Sequence, residues 1–312
     1  MVISRDEHES SLAELSGSIG DPRGGILGPT SIAWRIGGDL AVFLGGGRAA
    51  LLQLAHPMVA YAIEQHSRTR RDVVGRFQGT FRHVFAMVFG ELDAAFAAAR
   101  RVHAIHTRIH GVIPEAIGGW PAGTPYHAND ADALRWVHAT LVDSVLVVRE
   151  LLGDPLSPAI KDSYIRDMNR FAALFGIPRT LLPADHAAHV SYMERELASD
   201  RLAVAPCARA MAAFLIGRGD AGQPKLGRVT EAVTAAMLPP RLVREFGLRA
   251  SPRLVRAGLA AIAPPLRYLP RSLVAIPAHA DASRRLEGRG PSRWAAWTER
   301  QLFSLARHAT GT

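Results

Sequence analysis

Histidine is the residue type in this 312-residue sequence best equipped for chemistry: there are 13, and ten of them fall between residues 56 and 189. Imidazole titrates near neutrality and is the commonest side-chain ligand for iron, copper and zinc. His103, His106 and His110 are spaced i, i+3 and i+7, which on one continuous helix puts all three on one face. Arg76, Thr80 and His83 share a face in the same way through i, i+4 and i+7, and the segment before them carries His56, Glu64 and His66. Two chemistries use such sets. A non-haem iron or zinc site needs two or three imidazoles converging with a carboxylate, for which His56, His66, His103, His106 and Glu64 are the candidates. A haem site needs one axial histidine, an apolar cavity between helices and cations for the propionates. Spacing alone does not set His106 above its neighbours. His8 and His308 read as surface residues, and His186 with His189 as one exposed helix face. The motifs His-Glu-x-x-His, paired Glu-x-x-His and Gly-x-Ser-x-Gly are missing, which argues against a zincin, a di-iron bundle and an α/β-hydrolase.

The elements that must position these residues are helices. Leu51, Leu54, Met58 and Ala62 recur at three- and four-residue spacing, as do Phe81, Val84, Phe85, Val88 and Phe89. An amphipathic run from Asp93 to Ile109 stops at Gly111 and Pro114, and residues 114–127 read as an irregular Gly- and Pro-rich loop. Asp130 opens the next helix, with Leu134, Val137, Leu141, Val145 and Val148 as its apolar stripe, and Gly153-Asp154-Pro155 closes it. Further helices are predicted from Ser157 to Phe175, over 184–199 and 204–216, and near 226–237, 239–246, 252–260 and 291–308, with Pro-Pro pairs at 239–240 and 264–265 between the later ones. No convincing strand pattern and no internal repeat appears. The expectation is an all-α, single multi-helix domain: a loosely held arm at 1–30, a helical catalytic domain at 31–225, and a Pro- and Arg-rich helical extension at 226–312 packed on the same domain.

Composition narrows the function classes. An apolar fraction of 48% and a charged fraction of 21% are those of a globular protein. The single cysteine, Cys207, excludes a disulfide framework and a cysteine-built zinc site, and leaves thiolate ligation of a haem to that residue alone. The net charge of +9 is carried almost wholly by arginine, but acids punctuate most of the chain. With aromatics at 7%, there is no stacking platform for nucleic acid. Arg241, Arg244, Arg249, Arg253, Arg256, Arg267 and Arg271 stand among Leu, Val, Ala and Pro, a pattern suited to a peripheral contact with an acidic membrane surface or to covering the body of the fold. The N-terminus lacks the apolar core of a signal peptide, and Arg35, Asp39 and Arg48 interrupt the most apolar early stretch, so a cytoplasmic protein is expected.

Five segments, in order, resemble the catalytic domain of the MpaB and latex-clearing-protein (rubber oxygenase) family. They are Gly45-Gly46-Gly47-Arg48 through Leu54-Ala55-His56-Pro57 with His66-Ser67; Arg76-Phe77-Gln78-Gly79-Thr80 leading into Val88-Phe89-Gly90; Val102-His103-Ala104-Ile105-His106-Thr107-Arg108-Ile109-His110-Gly111; Tyr126-His127-Ala128-Asn129-Asp130 through Trp136-Val137-His138-Ala139-Thr140-Leu141; and Tyr164 through Phe175-Gly176-Ile177-Pro178. The resemblance implies a globin-like arrangement of helices around a b-type haem. It implies His106, in His106-Thr107-Arg108-Ile109, as the proximal iron ligand, with His103 and His110 beside it as cofactor-binding residues. Arg76 and Thr80 match the spacing of a distal arginine and threonine, the hydroxyl bonding O2 and the guanidinium stabilising charge or fixing a propionate. The latex-clearing branch has a lysine between those two residues where this sequence has Gly79. Its catalytic glutamate has Glu64 as the candidate counterpart, at a different spacing. These departures bring the sequence closer to the MpaB branch, which is associated with oxidative cleavage of an isoprenoid side chain. The expected activity is therefore a haem-dependent oxygenase using O2 on a hydrophobic, alkene-containing small molecule. The alternatives are a non-haem histidine-cluster enzyme and a non-catalytic binder of haem or a lipophilic ligand.

Overall fold

The computed structural model describes residues 1–66, 83–217 and 225–290. In chain order the helices are α1 (Arg5–Gly17), α2 (Ile32–Gly37), α3 (Gly46–Leu54), α4 (Pro57–His66), helical residues 83–89 (α5), α6 (Leu92–His106), α7 (Ala131–Leu151), α8 (Pro158–Ala173), α9 (His186–Ala198), α10 (Pro206–Leu215), α11 (Lys225–Ala236), α12 (Pro240–Glu245), α13 (Pro252–Tyr268), α14 (Arg271–Val274) and α15 (Pro277–Leu286). One antiparallel hairpin, β1 (His110–Val112) with β2 (Pro125–His127), stands between α6 and α7 and pairs His110 with His127. The fold is all-α, as the helical periodicity implied.

Helix α7 is the axis of the molecule. The Asp130 carboxylate caps it, accepting from the amides of Asp132 and Ala133 at 3.1 and 3.0 Å. A helix buried on all sides belongs in the interior, and α7 divides two apolar cores. On one side Trp136 and Ala139 pack with Leu51 and Leu52 of α3, Tyr61 of α4, Tyr192 of α9 and Leu242 of α12. On the other, Val142 and Leu146 pack with Leu12 of α1, Trp34 of α2, Phe96 of α6 and Phe171 of α8. The Trp136 indole N–H donates to the Leu52 carbonyl at 2.9 Å, so its polar edge is satisfied where the ring is fully buried. Gly45, at the entry to α3, has a specific reason to lack a side chain: a Cβ there would come within 3.0 Å of the Ser144 carbonyl oxygen on α7.

Four expectations need correcting. Residues 1–30 are not a loose arm. Ile3 is buried, its amide donates to the Asn129 carbonyl at 2.9 Å, and α1 packs Leu12 and Leu15 into the second core behind a Ser4–Glu7 capping box. The helix carrying the central histidines ends at His106 rather than reaching Ile109. The Thr107 hydroxyl and the Asn129 side-chain amide both donate to the His103 carbonyl, at 2.9 and 3.2 Å, closing the last turn with side chains. His103, His106 and His110 therefore do not share one continuous helix face. Pro264 and Pro265 lie inside α13, not between helices: they withhold only their own amides, and the Pro265 carbonyl still accepts from Leu269 at 3.1 Å. Finally, the Gly- and Pro-rich stretch 114–127 contributes the strand β2, paired with β1 after α6 has ended. Among the described residues no helix is long and apolar enough to cross a membrane.

Candidate functional site

The three central histidines meet three different surroundings. His106 is the last residue of α6 and is half-buried. His103, one turn earlier, is turned toward the N-terminal segment: its Nε2 donates to the Ile3 carbonyl at 3.1 Å and its ring stacks on His8 at 4.5 Å between centroids. His8, read from the sequence as a surface residue, is 1% exposed, and its own Nε2 donates to the Leu174 carbonyl at 2.9 Å. This pair fastens the N-terminal helix to α6 and α8. His110 is exposed on β1, stacked on His127 across the hairpin with ring planes 11° apart. His127 accepts the Asn129 amide at Nδ1, 2.9 Å, so its neutral ring carries hydrogen on Nε2.

Helix α4 brings a polar group against the same hairpin. The His66 ring donates from Nε2 to the His110 carbonyl at 2.9 Å, the Gln65 amide donates to the Val112 carbonyl at 3.0 Å, and the Tyr126 hydroxyl donates to Gln65 Oε1 at 2.6 Å. The Tyr61 hydroxyl donates to the Glu115 carboxylate at 2.5 Å, and burial together with that carboxylate drives the phenol's pKa upward, so it remains a donor throughout the physiological range. Glu64 is half-buried on the same helix. Arg76 and Thr80 fall in the stretch between α4 and α5 and lie outside the described residues.

Cys207, on α10, is the one thiol that could ligate an iron. Burial first, and then the charge of nearby Glu64, push its thiol up to about 11, whereas a thiolate ligand needs its pKa lowered. At pH 8 roughly one such thiol in a thousand is ionised. Alkylation by iodoacetamide at pH 8 is accordingly expected to run about a hundredfold slower than for an exposed cysteine; stoichiometric labelling at the free-cysteine rate would contradict this placement.

The interior also holds buried polar groups that spacing did not single out. Arg48 of α3 is 4% exposed and meets Asp143 of α7 at 2.6 Å, the Ser144 hydroxyl at 3.0 Å and the Met237 carbonyl at 2.7 Å. The other Asp143 oxygen stands 3.4 Å from Nε2 of His189, a contact long for a hydrogen bond. His189 is 1% exposed, so it does not belong to an exposed face as the sequence suggested. Burial raises the Asp143 carboxyl, but the His189 and Arg48 partners outweigh it and hold it below the ordinary carboxylate value. Part of the signal for this cluster was present: Arg48 is the one charged residue of the largely apolar α3, and buried charges come in pairs. His138, a turn and a half before Asp143, stacks on Phe171 with its Nδ1 buried and unpartnered, and His56 lies against Trp120 with both ring nitrogens buried and unpartnered.

A family model described as ER-bound oxygenase mpaB/B'/Rubber oxygenase, catalytic domain, matches residues 34–268, about three quarters of the chain. The chain belongs to this MpaB/rubber oxygenase family. Neither a curated protein nor a solved structure matches it. The match runs past residue 225, where the sequence reading ended the catalytic domain, so α11, α12 and α13 are part of the matched MpaB/rubber oxygenase unit. That agrees with the packing: Ala235 of α11 and Leu242 of α12 lie in the same core as Trp136. Among the described residues of this oxygenase-family chain, no three His, Cys, Asp or Glu side chains converge as a metal-ligand set. His56, His66 and His103 have the separate surroundings given above, so the four-histidine site with Glu64 does not assemble.

Proposed function

We propose that this chain is a haem b-dependent oxygenase that uses O2 on a hydrophobic small molecule containing an alkene, such as an isoprenoid. The observation that carries the reading is the position of His106, a half-buried imidazole at the end of α6, in a member of an oxygenase family. A porphyrin brings four nitrogen ligands of its own and asks the protein for one imidazole. A scaffold in which no three described His, Cys, Asp or Glu side chains converge suits that demand better than it suits a metal held by protein ligands alone.

When bound, haem b supplies the redox chemistry with O2. His106 would hold it through the imidazole. Thr80 and Arg76 are assigned as hydrogen-bond donors to O2, with the arginine also able to pair a propionate. Glu64 is assigned as the carboxylate that takes up a proton from substrate. His103, committed to the Ile3 carbonyl, is reassigned from cofactor contact to anchoring the N-terminal segment, and exposed His110 to the hairpin.

The test is spectroscopic. The purified protein, reconstituted with haem if necessary, is expected to show a Soret band that shifts on reduction with dithionite. His106→Ala should lose that band while far-UV circular dichroism is unchanged. His103→Asn should keep the band and lower stability by about 1–2 kcal/mol, through the hydrogen bond and the His8 stack it forgoes. A wild-type protein that takes up no haem, or a His106→Ala variant with undiminished haem affinity, would overturn the proposal.

A further inference from the structure

The chain from Phe246 to Ala280 contains five arginines, at 249, 253, 256, 267 and 271, and no aspartate or glutamate, a run without parallel in a sequence otherwise punctuated by acids. Its main element is α13. The inner face of that helix is set by Gly258, where a Cβ would come within 2.7 Å of a Val229 methyl on α11, so the two helices approach closely there. Opposite, Arg253, Ala257, Ala260, Pro264 and Tyr268 follow one another at three- and four-residue spacing, and all are exposed. The helix then delivers Leu269, Pro270 and Leu273, also exposed. Tyr268, Leu269 and Leu273 are 79%, 46% and 48% exposed, the tightest grouping in sequence of exposed large apolar residues among the described ones.

An exposed apolar edge on a stretch of chain that carries arginines and no acid has a specific physical complement. Leucine, tyrosine and proline gain by entering the boundary between headgroups and acyl chains, and arginines beside them gain by meeting anionic headgroups. A soluble partner protein would need an acidic, apolar surface of matching shape, whereas a bilayer supplies both properties without one. We propose that the outer face of α13, with the segment through Leu273, is a docking surface for an anionic phospholipid bilayer. Binding there is peripheral, because α13 remains packed on α11. The proposal does not depend on the cofactor assignment, and the experiment reads no activity.

Co-sedimentation with phosphatidylcholine vesicles containing one third phosphatidylglycerol tests it, with pure phosphatidylcholine vesicles as the comparison. The full-length protein is expected to partition onto the anionic vesicles, less so as salt is raised, and weakly onto the neutral ones. The pair Leu269→Glu with Leu273→Glu, and separately Arg253→Glu with Arg256→Glu, should each lower partitioning about tenfold, with the circular dichroism spectrum and thermal midpoint retained because these side chains are exposed. Three outcomes would overturn it: no partitioning onto anionic vesicles, partitioning that neither pair of substitutions reduces, or a dimer in solution that Leu269→Glu with Leu273→Glu disperses while vesicle binding is absent. The last would give the face to a second copy of the chain.

Discussion

Asp143→Asn is expected to cost about 3–5 kcal/mol of folding stability, a large part of the total for a domain. The reason lies in what remains. Arg48 is buried between α3, α7 and the end of α11; its guanidinium keeps the Met237 carbonyl and the Ser144 hydroxyl but loses the carboxylate in ion-pair contact with it. An arginine does not shed its proton to escape, so the charge stays buried and uncompensated. Asparagine nearly matches aspartate in shape, which confines the change to charge. Urea unfolding measures the effect as a drop in midpoint at constant slope. Removing both partners, as Arg48→Met with Asp143→Leu, should restore most of the loss, since an apolar pair of similar volume does not have to desolvate two ions. A loss below about 1 kcal/mol in the single variant would mean that water reaches Arg48 and that the pair is a surface-type bridge.

The second large effect is acid lability centred on histidine. Burial pushes His138 down to about 3 and His56 down to about 4, from the ordinary value of 6.5. Both stay neutral in the folded protein while their unfolded counterparts take up protons near 6.5. Stability is therefore fully present above pH 6.5 and is lost as pH falls toward the folded values, where the loss levels off. At 1.36 kcal/mol for each unit of pKa, the two sites give losses of about 3 kcal/mol for His56 and about 5 kcal/mol for His138. His8, His127, His186 and His279 are displaced in the same direction, chiefly by burial, and add to the slope. Carboxylates such as Asp143 lose their contribution only below their unfolded values, near 4, so the window from pH 6 to 5 isolates the histidines. Unfolding free energies measured across that window should fall by at least about 2 kcal/mol per pH unit, a little under the roughly 2.7 kcal/mol that full uptake of two protons gives. His138→Phe, which keeps the stack on Phe171 and deletes the unpartnered nitrogen, should lower the slope by one proton. A slope of zero between pH 6 and 5 would contradict neutral buried imidazoles.

These histidines also show where reading the sequence reached its limit. Periodicity was enough to predict helices over most of the chain, because apolar residues at three- and four-residue spacing leave few other ways to bury that surface. Five ordered segments carried the family, and the family carries oxygenase chemistry. Asp130 announced the start of α7 because a capping carboxylate acts on amides two and three residues away, an interaction local in sequence.

What the sequence could not decide depended on distant partners. Helical spacing linked His103, His106 and His110, but α6 ends at His106, where Asn129, from the far side of the hairpin, adds a donor to the His103 carbonyl. His8 looked like a surface residue until Leu174, 166 positions away, supplied its acceptor. Arg48 read from the sequence as an interruption of an apolar stretch, and its partner Asp143, 95 residues away, meets it only when α3 packs on α7. The sequence by itself therefore determined the element types and the family, because helix periodicity, caps and motif order are local properties of the chain. The tertiary structure alone decided which imidazoles are spent on packing, which stand buried and neutral, and which is left half-buried at the end of α6, because burial and hydrogen-bond partnership are set by residues that meet only when the chain folds.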